Sequence, residues 1–274
     1  MNHASSVNLN STINVPGLST ADPSRALMAE AFELIGLNGI DLKKLPAVNA
    51  TRRKVRAGQA LFNQGDLFDS IFVVRLGTFK TSAVDGDGAE QVLGFSLRAD
   101  ILGCDAAASG HYSSYAVALE DSEAIAIPLE QFRSLGEAGH VLERHLFRHL
   151  SEELNREHRV LAMIGTLGAD ARVARFLASL ADRYARMGYS PRNFMLRMTR
   201  QEIANHLGLT METVSRAFSH LCQAKLIEVN QRSINVVDIE RLREVRHSPQ
   251  ANRQRSSAHF AVLNAPVLRS VTLQ

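Results

Sequence analysis

The sequence predicts an α+β chain: an N-terminal antiparallel β-roll of jelly-roll type, one long helix, and a C-terminal winged helix-turn-helix. Three observations carry this reading. Between Arg53 and Pro128, short β-like runs alternate with glycine turns at roughly ten-residue spacing. From Gln131 onward the apolar positions recur every three and four residues. Thr199 to Val237 then reads as two short capped helices followed by two short strands. At 274 residues the chain is about twice a typical single domain, so two compact domains are expected.

Residues 1–24, rich in Asn, Ser and Thr, have little apolar content and no periodicity, and are expected to form a flexible tail. They lack the basic stretch and apolar core of a secretory signal. The β-roll domain is placed at residues 25–135. It opens on a helical pattern, with Ala26, Leu27, Ala29, Phe32 and Ile35 at helical spacing, broken at Gly36 to Gly39. Strand runs follow at Ser70–Leu76, which ends at Gly77, and at Phe79–Val84. The latter ends at Asp85-Gly86-Asp87-Gly88, a strong hairpin signal. Gln91–Phe95, Tyr115–Leu119 and Ala124–Ile127 complete the set.

The long helix is placed at residues 136–166. Phe147, Leu150, Leu154, Leu161 and Ile164 form its stripe, and Glu157 occupies the skipped position. Two apolar residues per heptad suit a seam between two copies of the chain. A core helix packed on its own domain is the alternative. Gly165 and Gly168 are expected to break the helix and mark the boundary. The second domain spans 167–246 and opens on an amphipathic helix with Val173, Phe176, Leu177 and Leu180 on one face. Residues 247–274 hold arginines and no Asp or Glu, and read as a second flexible tail.

Composition narrows the function classes. Apolar residues make up 45% and charged residues 22%, which is ordinary for a globular chain. No apolar run approaches the ~18 residues of a membrane span, so no membrane contact is expected, and the two isolated cysteines suit a reducing cytoplasm. A net charge of +3 is too mild to identify a nucleic-acid partner by itself. Two isolated cysteines, Cys104 and Cys222, exclude a disulfide scaffold and any centre held by four thiolates of one chain. There is no P-loop, no Gly-x-Gly-x-x-Gly after a strand, no hydrolase triad and no metal-ligand cluster in the sequence. Neither an enzyme nor a bound cofactor is expected.

Thr199-Arg200-Gln201-Glu202 is a capping box, in which hydroxyl and carboxylate satisfy free amides at a helix start. Ile203, Ala204 and Leu207 continue the helix, and Gly208-Leu209 makes the turn. Thr210 caps a second helix, Met211 to Leu221, with Thr213 at the position usually held by Glu. The inner faces pair Ile203, Ala204 and Leu207 with Val214, Phe218 and Leu221. That leaves Glu212, Ser215 and Arg216 outward at the start of the second helix, where recognition helices present residues to base edges. Arg bonds guanine, Glu accepts from cytosine, and Ser contacts either. Thr199, Arg200, Thr210 and Thr213 are placed at the DNA backbone. Leu226–Val229 and Ser233–Val237 flank a polar turn and read as a two-stranded wing. Asp238 then caps a last helix, Ile239 to Val245.

Over residues 25–246 the sequence resembles the Crp/Fnr superfamily of bacterial transcription regulators, and the Fnr branch in particular. The resemblance rests on Gly58 to Asp66, Arg75 to Lys80, Ser109-Gly110-His111, Gly188 to Pro191, Met198 to Arg200 and Gly208 to Arg216. It implies a cyclic-nucleotide-binding-like sensor domain and a homodimer on double-stranded DNA. Glu212, Ser215 and Arg216 match the branch's Glu-x-x-Ser-Arg pattern, which implies a TTGAT-N4-ATCAA-like palindrome. It implies an activator whose Asp85-Gly86-Asp87 loop touches RNA polymerase. It also places an acidic residue, here Glu157, in the dimer seam, where it restrains dimerisation; a solvated Glu at the helix edge is the alternative.

The sequence departs from the family in two places. The segment Leu27 to Leu45 has no cysteine, and Ile125 stands where the β-roll cysteine of the iron–sulfur branch is expected. Gly103-Cys104 and Ser114-Tyr115 replace the Gly-Glu and Arg-Ser pairs of the cyclic-nucleotide branch, so the arginine that would neutralise a phosphate is missing. Cluster and cyclic AMP binding are therefore not expected. A haem, nitric-oxide or small-molecule effector in the β-roll remains the alternative, with His140, His145, His149 and His158 near the long helix. Cys104 reads either as a small buried apolar residue or as a redox-sensitive thiol.

Overall fold

The structure, a computed structural model, describes residues 23–37, 49–130 and 137–246. The C-terminal tail and all but two residues of the N-terminal one lie outside the described residues.

Helix α1 (Pro23–Leu34) begins two residues before the predicted start, with Pro23 in its first turn, where the missing N–H costs nothing. It buries Met28, Ala31 and Phe32 against Ile71, Val73, Ile125 and Ile127 of the β-roll. The roll's strands are β1 (Thr51–Val55), β2 (Ala60–Phe62), β3 (Ser70–Leu76), β4 (Phe79–Val84), β5 (Glu90–Ser96), β6 (Ile101–Leu102), β7 (Tyr115–Ala118) and β8 (Ser122–Pro128). They form two antiparallel sheets, ordered β1-β8-β3-β6 and β2-β7-β4-β5. Between the sheets Phe62 stacks on Tyr112 and Phe72, with centroids 4.2 and 5.5 Å apart. β5 is an edge strand, paired to β4 on one side only.

Helix α2 (Glu137–Thr166) is 30 residues long and runs through Gly165. The break falls at Leu167-Gly168, where Gly168 caps α3 (Ala169–Arg186). β9 (Asn193–Met195), α4 (Arg200–Leu207), α5 (Met211–Gln223), β10 (Ile227–Asn230), β11 (Ser233–Val236) and α6 (Ile239–Glu244) complete the second domain. The wing has three strands, ordered β10-β11-β9, rather than the two expected. β9 adds Phe194 to the core while its flanking residues stay exposed.

The second domain's core is continuous with the β-roll. Val92, Phe95 and Leu97 of the roll pack with Phe176, Leu177 and Leu207 in one buried cluster. The free edge of β5 is therefore covered by the helix-turn-helix, which is one way proteins protect an exposed strand edge.

Candidate nucleic-acid interface

Helices α4 and α5 are started by threonine caps. Thr199 Oγ1 accepts from the Glu202 amide at 3.2 Å, and Glu202 Oε2 accepts from the Thr199 amide at 2.7 Å. Thr210 Oγ1 accepts from the Thr213 amide at 3.2 Å. Gly208 sits between the helices at φ 62°, a left-handed conformation that favours glycine. Ile203, Ala204, Leu207, Val214, Phe218 and Leu221 are all buried on the facing sides.

This packing leaves the first two turns of α5 open. Glu212, Ser215 and Arg216 are all exposed there. Their spacing of three, four and one puts them on one face of the helix. The Glu212 carboxyl is held below the usual carboxylate range by its own backbone N–H and by the Thr210 hydroxyl, so it is an anion and an acceptor at neutral pH. Ser215 Oγ donates to the Met211 carbonyl at 2.9 Å. Thr199 and Thr210 are exposed and Thr213 is half-buried. Arg200 differs from its neighbours: its guanidinium lies 3.2 Å from the Phe218 ring centroid, and burial pushes its pKa down to about 10. It remains charged at neutral pH, stacked on the inner side of α5.

Two sets of polar contacts fix this unit in place. The first ties it to the β-roll. Lys80 Nζ reaches Glu90 at 2.8 Å and the capping Glu202 at 3.2 Å. Burial works against its charge, and the two carboxylates more than offset that, raising its pKa. Asn205 pairs with the β5 edge as a strand residue would. Its Oδ1 accepts from the Val92 amide at 2.6 Å and its Nδ2 donates to the Glu90 carbonyl at 2.7 Å. Arg183 donates to the Phe95 carbonyl at 2.7 Å and pairs with Asp100. The second set ties the unit to the start of α3. Buried Asp170 faces His220 Nδ1 at 3.1 Å. Arg172 donates to carbonyls of both α2's end and the helix-turn-helix turn. Sequence reasoning missed Lys80, Asn205 and Arg172 as interdomain residues, because spacing along one element says nothing about partners on another.

Phe147, Leu150, Leu154, Leu161 and Ile164 lie along one stripe of α2 and are 37–77% exposed. Ile164 also approaches the turn: a Cβ on Gly208 would lie 3.7 Å from its Cδ1. Glu157 is exposed and lines a cavity of about 370 Å³ between α2 and the roll. That cavity is lined by Asp100, Asp105, Glu153 and Glu157, and by no Arg or Lys among the described residues. A cyclic phosphate, which needs a cationic partner when desolvated, does not fit this lining. His149 on the same wall has its Nε2 3.2 Å from the Ile101 carbonyl. Cys104 lines it too, with burial pushing its thiol up to about 12, which keeps it protonated at neutral pH. Asp85, Gly86 and Asp87 form an exposed turn between β4 and β5. The Asp85 carboxylate accepts there from the Asp87 and Ala89 amides at 3.0 and 2.9 Å. Among the described residues no helix is long and apolar enough to cross a membrane.

Comparison with known proteins matches this architecture. Residues 52–138 match the cyclic nucleotide-binding domain family, and residues 171–245 the Crp-like helix-turn-helix domain family. The chain is 38% identical over 222 residues to the transcriptional regulatory protein btr of Bordetella pertussis, covering 81% of this chain and 92% of that protein. It is 34% identical over 209 residues to the fumarate and nitrate reduction regulatory protein of Escherichia coli K12, covering 76% and 84%. Among solved structures, FixK2 from Bradyrhizobium japonicum superposes with a TM-score of 0.63 at 25% identity, covering 71% of this chain and 96% of FixK2. A β-roll, a long helix and a winged helix-turn-helix in this order, with such identity along nearly the whole of a relative, make the chain a DNA-binding transcription regulator of the Crp/Fnr family.

Proposed function

We propose that the chain acts as a homodimer that reads a TTGAT-N4-ATCAA-like palindrome through Glu212, Ser215 and Arg216. The observation that carries this reading is the single exposed face on which these three side chains stand, at the capped start of α5. Arg216 supplies a bidentate donor for guanine, Glu212 an acceptor for cytosine, and Ser215 a group that suits either. Thr199, Thr210 and Thr213 at the helix starts serve the phosphate backbone, as helix N-termini favour anions. Arg200 joins them by leaving the Phe218 ring. The apolar stripe of α2 is the dimer seam, and its exposure in the single chain is what an unpaired seam looks like. The Asp85–Asp87 turn is the surface offered to RNA polymerase, and the regulator is an activator.

The regulator works without an iron–sulfur cluster. Two cysteines in the whole sequence, with buried Ile125 at the β-roll position, support this. A second reading is favoured by the cavity beside α2, whose volume lies within the range of small-ligand pockets. There an effector would adjust DNA binding.

The test is a gel shift in air at fixed salt, with purified protein and no additive. Selective binding to the TTGAT-N4-ATCAA duplex over one with both half-sites scrambled is the expected result. Equal affinity for the two overturns the assignment of the half-site.

A further inference from the structure

We infer that Arg172 is a positioning residue that transmits the direction of α2 to the helix-turn-helix and so sets the spacing at which two half-sites can be read. This rests on the dimeric, palindrome-reading function proposed above.

Arg172 stands in the first turn of α3, just after the break at Gly168. Its guanidinium uses all three nitrogens. Nη2 donates to the Ile164 carbonyl at 2.6 Å and Nε to the Leu167 carbonyl at 2.9 Å. Nη1 faces the Leu207 and Gly208 carbonyls at 3.2 and 3.4 Å. The first two oxygens belong to the end of α2. The other two belong to the end of α4 and the turn that leads into α5. The ends of both helices carry partial negative charge and carbonyls without intrahelical partners. The last turn of α2 contains no basic residue of its own. One cation therefore answers two helix C-termini and ties them together.

Two further contacts make this junction stiff. Ile164 lies beside Gly208, close enough that a Cβ there would sit 3.7 Å from its Cδ1, so the stripe's last apolar residue borders the turn. Two residues before Arg172, the Asp170 carboxylate holds His220 of α5 at 3.1 and 3.2 Å. The first turn of α3 thus grips α2, the turn and the recognition helix together. A rotation of α2 about its partner would carry both α5 helices with it. The four oxygens lie in three directions from one planar group, which the fork of Arg can serve and the point charge of Lys cannot.

The experiment measures binding by fluorescence anisotropy for wild type, Arg172→Lys and Arg172→Gln. The probes are the TTGAT-N4-ATCAA palindrome, the same palindrome with one or two base pairs added to or taken from the spacer, a single half-site, and a duplex with both half-sites scrambled. Wild type is expected to discriminate against altered spacers. Both variants are expected to bind the single half-site within about twofold of wild type, while spacer discrimination falls about tenfold, a size typical of coupling between sites. Arg172→Lys keeps a cation at both helix ends, so it reports even if Arg172→Gln fails to fold. Variants that keep the wild-type spacing profile overturn the inference. So does parallel weakening on every probe including the half-site, which marks a merely structural role. Wild type that does not prefer the palindrome to a scrambled duplex overturns the functional reading, and this inference falls with it.

Discussion

At the residue scale, the exposed face of α5 proposed to read DNA is separable from the packing that supports it. Arg216 is exposed and none of the buried core depends on it. Arg216→Ala should therefore leave the melting temperature unchanged while costing about 1–3 kcal/mol at one base pair and relaxing specificity there. Affinities on a set of single-base operator variants check this. Uniform weakening on all of them would reduce Arg216 to a phosphate contact. Thr199 behaves in the opposite way. Its hydroxyl satisfies the Glu202 amide, and Glu202 in turn holds Lys80. Thr199→Ala should lower stability by about 0.5–2 kcal/mol, measured by urea unfolding. That Glu212, Ser215 and Arg216 share an exposed face at the start of α5 was legible in the sequence, because capping boxes and helical spacing are local rules. Arg200 shows where such rules stop. Its position beside a helix start suggests a phosphate contact, and spacing along one element gives no sign that in the single chain its guanidinium lies over the ring of Phe218, eighteen residues later. Only the tertiary packing of α4 on α5 brings the two together.

At the element scale, the strands seen in the sequence are chiefly those with a buried alternating or continuous apolar face. β3, β7 and β8 have one, and each coincides closely with a predicted run; β4 and β5, whose buried positions fall three residues apart around a bulge, were instead legible from the Asp85–Gly88 turn that joins them. β1 was not anticipated because Thr51 to Lys54 are all exposed; backbone pairing along the edge of β8 makes them a strand. β6 and β9, of two and three residues, are too short for any periodicity to register. The docking of α4 on β5 was equally invisible, since it brings an apolar cluster together with one amide side chain, Asn205, that mimics a strand backbone. Asn205→Ala removes both halves of that pair and should cost about 1–3 kcal/mol of stability. The β-roll and the second domain should then unfold at separate urea midpoints, whereas one shared transition at the wild-type midpoint would show that the apolar cluster alone holds the dock. The same interface contains a pH-sensitive group. His206 lies edge-on to Phe95 and Phe176, and burial pushes its pKa below the ordinary imidazole range, opposed only in part by the Val92 and Leu93 carbonyls. Below about pH 6.5 the unfolded chain binds a proton that the folded chain refuses, so stability is full above that pH and falls on acidification. His145 on α2 shifts in the same direction, also through burial. Melting temperatures between pH 7.5 and 5.5 should therefore decline in wild type and decline less in His206→Phe. Parallel curves would assign the pH dependence elsewhere.

At the scale of the whole molecule, the proposed dimer depends on how two chains would meet along α2. The helix is anchored at its start by buried Leu142 and at its end by the Arg172 junction. Between them its apolar stripe is exposed, with Leu150 and Leu154 bordering the cavity beside the roll, and is interrupted by Glu157 one turn after Leu154. A parallel, symmetric seam brings the two copies of Glu157 close together, and like charges in a partly desolvated seam repel. Glu157→Ala should then strengthen the dimer. At about 1 kcal/mol for a pair of carboxylates in contact across water, the dissociation constant should fall about fivefold. Added salt screens the repulsion, so wild type should approach the variant as ionic strength rises, while the variant itself responds little. Sedimentation equilibrium at two salt concentrations measures both effects. Glu157 also lines the cavity between α2 and the roll, beside Glu153. If its carboxylate turns to that side when two chains associate, the seam does not feel it, and the variant's monomer–dimer equilibrium will match wild type at every salt concentration. That result would leave the stripe as the seam and remove Glu157 as its brake. A tighter dimer with its salt dependence abolished would instead make the strength of this one repulsion the quantity that sets how much regulator is competent to span two half-sites.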